Sequence, residues 1–163
     1  MNDDLELDVI FLLPLRKRTQ EQIELQWPNL KTNFYQIVSE DTESYNCIAW
    51  AKDENLKVPM WPFKGYYWPS DLPLIETLQN FINAFRKEGY EICTDGLFEN
   101  GFEKLAIYQK ESEPLHMARQ MQDGQWTSKL GDLEDIVHST CSELEGEFYG
   151  WVVQYLKREL LNN

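Results

Sequence analysis

Ile75, Leu78, Phe81, Ile82 and Phe85 recur at steps of three and four residues, and Gly89 follows them. This spacing sets one apolar face on a helix, and the glycine offers the left-handed conformation that ends one. From Tyr90 the period changes. Tyr90–Cys93, Lys104–Gln109, His116–Met121 and Gln125–Ser128 read as strands, with a turn at Asp123-Gly124 joining the last two. A helix followed by a run of hairpins predicts an α+β chain with a small antiparallel sheet. Two closing helices are expected, over Asp132–Glu143 and over Phe148–Leu161, the latter with Val152, Tyr155, Leu156 and Leu160 on one side.

Ahead of that helix, Pro59, Pro62 and Pro69, joined by Pro73 just beyond, interrupt an aromatic segment from Val58 to Pro69, which excludes regular helix there and predicts an aromatic loop. Ser44 or Asn46 offers a cap to a short helix through Cys47-Ile48-Ala49-Trp50-Ala51-Lys52. Earlier still, Glu21–Leu25 has helical composition and Phe34–Val38 reads as a strand. No repeat or flexible linker divides the 163 residues, so one domain is expected, with residues 1–40 as a lead-in packed on a 41–163 core.

The 28 acidic and 15 basic residues give a formal charge of −13, a sign that repels phosphate backbones and anionic headgroups. Nucleic acid and membrane are therefore poor expectations as partners. The start of the chain is acidic where a secretory leader would be basic, and Val9–Leu13 halts at Pro14. Cys47, Cys93 and Cys141 are an odd number without paired spacing, which suits a reducing cytoplasm better than a disulfide framework. A zinc site lacks any close ligand pair, and no cofactor is expected.

Cys47 falls in the first turn of its helix, where unpaired backbone amides lower a thiol pKa. His116, opening a strand, is the candidate imidazole to activate it. Asp135 and His138 stand three apart, so on the expected helix they share a face and either can orient His116. Trp50, Trp61 and Trp68 are candidate cleft walls, and Asn46 a candidate oxyanion donor.

A helix-borne Cys followed by a sheet whose strand begins with His resembles the papain-like cysteine hydrolases, in the compact NlpC/P60 form. The resemblance implies an orienting residue on the strand after His116, near Thr127-Ser128, and a peptide or amide substrate. From Tyr45 to Gly150 the chain also resembles an uncharacterised bacterial family. Its motifs stand here as Tyr45-Asn46-Cys47-Ile48-Ala49-Trp50-Ala51, Trp61-Pro62 with Tyr67-Trp68-Pro69, Gly89-Tyr90 with Cys93, and Lys104–Tyr108. They continue as His116-Met117-Ala118-Arg119-Gln120, Gly124–Gly131, Glu134–His138 and Tyr149-Gly150. The fold expected on these grounds is papain-like, with Cys47, His116 and one of Ser128, Asp135 or His138 as the catalytic group.

Each of these residues has a plainer reading beside the chemical one. A buried Cys47 is a small hydrophobe, His116 a satisfied strand histidine, His138 a helix-end cation, and the aromatic loop a cover for the core. The alternative function is a non-catalytic acidic binding protein, of the immunity or regulatory kind, that captures a basic protein partner.

Overall fold

In the computed structural model, residues 15–39, 45–53, 58–130 and 134–161 are described, with side chains from Gln20 onward. The expected cap at Ser44 lies outside them. Three α-helices are present among these residues: α1 (Leu15–Gln26), α2 (Cys47–Lys52) and α3 (Leu78–Arg86). Around them run seven strands: β1 (Tyr35–Ile37), β2 (Glu91–Cys93), β3 (Phe102–Lys110), β4 (Glu113–Gln120), β5 (Trp126–Lys129), β6 (Asp135–His138) and β7 (Trp151–Glu159).

All seven form one antiparallel sheet in the order β1-β6-β5-β4-β3-β7-β2. Strands β3 to β6 form a meander, and β7 returns across it to lie beside β3. The hairpin between β4 and β5 turns at Gly124, whose φ of +88° suits a residue without a side chain.

This β-rich architecture overturns the papain-like expectation of a Cys-bearing helix on a small sheet. Both closing helices are absent. Asp135–His138 is strand β6, held between β1 and β5, and a 3-10 turn at Cys141–Leu144 follows it. The misreading of β7 has a definite cause. Ile107 pairs with Gln154 and Tyr108 with Val152, so Val153 is bulged out of register. The bulge returns Val152 and Tyr155 to one face, a three-residue step that imitates a helix in the sequence.

The sheet separates two apolar layers. Leu105, Ile107, Met117 and Leu156 face α2 and α3, where Phe81, Ile82 and Phe85 are buried. Ala106, Tyr108, Ala118, Trp126 and Ile136 face the other way, toward Ile23 of α1 and toward Trp27, Leu30 and Leu144. Burial of each large α3 side chain contributes roughly 2 kcal/mol. Thr77 caps α3 by accepting from the amide of Asn80 at 3.2 Å, and Gly89 with φ +90° follows its end.

Candidate functional site

Asn46 caps α2 through Oδ1, which accepts from the amides of Ala49 at 3.1 Å and Met60 at 3.0 Å. Its Nδ2 donates to the Met60 carbonyl at 2.8 Å. The side chain expected to serve an oxyanion therefore clamps the aromatic loop to the start of the helix. Six residues of α2 also make a weak macrodipole, and Cys47, Ile48, Ala49 and Ala51 within it are buried.

Cys47 is 6 % exposed and belongs to the layer that includes Met117. Burial pushes its thiol up to about 11, against the opposing pull of the backbone amides of Met117, Ile48 and Cys47 itself and of the Lys129 charge. At neutral pH it is a protonated thiol.

His116 precedes Met117 on β4, and strand alternation sends its side chain to the opposite face of the sheet. There its ring lies flat on Tyr149, with centroids 4.1 Å apart and planes 8° from parallel, and edge-on to Tyr108 at 5.2 Å. Both tyrosines belong to the second apolar layer. The imidazole and the thiol, joined in the expectation, make no hydrogen bond to each other among the described residues.

Instead His116 enters a polar chain across three adjacent strands. His116 Nε2 lies 3.0 Å from Ser128 Oγ, Ser128 Oγ lies 2.8 Å from His138 Nε2, and His138 Nδ1 lies 2.7 Å from the carbonyl oxygen of Thr140. A carbonyl only accepts, so His138 carries its proton on Nδ1. Burial holds His138 near 4 and His116 well below its ordinary value, so both rings are neutral. Ser128 therefore donates to His138 Nε2 and accepts from His116 Nε2–H. Among the described residues, the lone pair of His116 Nδ1 is left buried with no hydrogen-bond partner.

Asp135 and His138, expected to share a helix face, lie on opposite faces of β6 because a three-residue step on a strand crosses the sheet. Asp135 Oδ2 accepts from the Tyr45 hydroxyl at 2.7 Å on the Cys47 side, away from the histidines. The expected cleft walls also part. Trp50 donates through Nε1 to Thr127 Oγ1 at 3.2 Å under the guanidinium of Arg119, and Trp68 is buried against Phe81.

Trp61 alone of the three indoles borders the open cavity beside Cys47, whose volume is about 420 Å³. Phe63, Tyr66, Phe148 and Tyr149 also line it, and Glu76 supplies a carboxylate. Trp61 Nε1 donates to Glu76 Oε1 at 2.6 Å. Phe148 and Tyr149 arrive on a loop closed by paired bonds between Gly146 and Gly150, at 2.9 and 2.8 Å, and both rings pack on Trp27. Sequence reasoning singled out Trp61 and the aromatic loop but missed Glu76, Phe148 and the role of Tyr149. The run of solvent-facing aromatics at Phe63 and Tyr66 was the available signal.

The chain belongs to the family described as Domain of unknown function (DUF7689), whose model matches residues 36–157. That stretch contains the whole candidate site. No curated protein and no solved structure matches the chain. Among the described residues, no group of three His, Cys, Asp or Glu gathers as metal ligands, and no helix is long and apolar enough to cross a membrane.

Proposed function

We propose that this chain is a non-catalytic binding domain that captures a basic protein partner. The observation that carries the reading is that Cys47 packs in one apolar layer while the His116 ring lies against Tyr149 and Tyr108 of the other, with no hydrogen bond between thiol and imidazole among the described residues. Acyl transfer by a thiol needs a base within reach of the sulfur, and here the thiol is held protonated and the candidate imidazole of His116 is engaged with Ser128 and Tyr149. The formal charge of −13 supports a cationic partner, because a field of that sign steers a basic surface into encounter.

The test is capture on immobilised protein at about 50 and 300 mM salt, with the retained proteins identified by mass spectrometry. A stoichiometric basic partner that is released at the higher salt supports the reading. Retained proteins without a basic bias overturn it, as does an electrophilic amide probe that labels Cys47 in a His116-dependent manner. The second of these outcomes would restore the cysteine hydrolase.

A further inference from the structure

We infer that the aromatic cavity beside Cys47 receives the ammonium end of a lysine side chain. The inference rests on the binding-domain reading and names the group by which the partner is held. Five aromatic side chains, Trp61, Phe63, Tyr66, Phe148 and Tyr149, line one open cavity, and among the described residues no Lys, Arg or His does. The faces of such rings carry negative potential and attract a cation placed over them. Phe63, Tyr66 and Phe148 are 59 %, 47 % and 49 % exposed, so their rings are available to an incoming group.

The carboxylate decides which cation fits. Glu76 Oε1 already accepts from the Trp61 indole at 2.6 Å, and among the described residues Oε2 has no hydrogen-bond partner. A guanidinium engages a carboxylate best through both oxygens at once, whereas an ammonium needs one acceptor. The arrangement therefore selects a lysine-type point charge over arginine. The Trp61 bond also fixes the carboxylate against the cavity wall, so little side-chain freedom is lost when the cation arrives. The alkyl stem of the lysine lies against the rings, as amphipathic side chains do on apolar surfaces.

The experiment titrates the full chain with Nα-acetyl-lysine methylamide, following side-chain NMR signals of Trp61, Phe63 and Tyr66. The norleucine and arginine methylamides serve as the neutral and guanidinium comparisons. Saturable shifts with the lysine compound are expected, with the norleucine and arginine compounds at least about tenfold weaker and Glu76→Gln weakening lysine binding by about tenfold. Phe63→Ala, at an exposed position, weakens it as well.

Equal response to norleucine or arginine, the lack of saturation at about 20 mM, or indifference to Glu76→Gln overturns the inference. The same variants separate it from the binding-domain reading. If a basic partner is captured equally by wild type and Glu76→Gln, the lysine pocket fails while the binding domain stands. If the lysine compound binds and no partner is captured, the reverse holds.

Discussion

The ring of Tyr149 lies parallel to that of His116 with centroids 4.1 Å apart, and Tyr149 lines the cavity that His116 does not reach. Tyr149 is thus the cover that keeps the imidazole dry. Tyr149→Ala is expected to cost about 3–5 kcal/mol in urea unfolding, as other large aromatic truncations do. It also lets the His116 pKa climb back toward its ordinary value, which NMR titration reads directly. Tyr149→Phe preserves the stacked ring and should leave that titration where it was.

Acid sensitivity follows from the paired histidines. Their folded pKa values are depressed, so between about 6.5 and the folded values the unfolded chain binds more protons. Stability from this source is complete above about 6.5 and is lost as pH falls. For His138, with a folded value near 4, the loss between pH 7 and pH 5 is about 2 kcal/mol. Long-range proton–nitrogen correlation spectra at pH 5 are expected to show His138 protonated on Nδ1 and His116 on Nε2. A ring that titrates near 6.5 in the folded protein would refute the assigned chain of bonds.

Cys47 should behave as an inert thiol. With its pKa near 11, iodoacetamide reacts at neutral pH about a hundredfold more slowly than with an ordinary cysteine, and the rate keeps rising beyond pH 9. His116→Ala is expected to leave that profile unchanged because the ring is on the other side of the sheet. Mass spectrometry distinguishes this thiol from Cys93 and Cys141. Fast alkylation near pH 7 that disappears with His116 would bring back thiol catalysis.

The loop that carries Phe148 and Tyr149 can be tested at its base. A Cβ on Gly150 would overlap the Gln109 carbonyl oxygen, at a φ of +75°. At Gly146 the corresponding atom meets nothing within 4 Å. Gly150→Ala should therefore destabilise the fold by about 3 kcal/mol, from a clash added to backbone strain, and Gly146→Ala by only about 1 kcal/mol. Equal costs in thermal unfolding would show that the loop, not the sheet, absorbs the added methyl.

Local patterns legible in the sequence include α3 with its terminal Gly89, the hairpin at Asp123-Gly124, and strands β3 to β5. Their signals are short-range and agree with their tertiary surroundings. Strand β6 was not legible, because Asp135–His138 is held extended by tertiary pairing on both sides, with β5 and with β1 about a hundred residues upstream, rather than by its own short-range pattern. At the site, the placement of Cys47 at the start of α2 could be read from Asn46. Its partnership could not. That depended on which of two neighbouring β4 residues, His116 or Met117, faces α2, and a one-residue step on a strand decides it entirely.

Asn46 holds Ala49 with one hand and Met60 with the other. The Met60 strap and the first turn of α2 therefore share one acceptor, Asn46 Oδ1, and loosening that side chain frees both amides. A cation seated as proposed on the Trp61 side of the cavity is expected to slow the opening of α2, read as added hydrogen-exchange protection at the Ala49 amide.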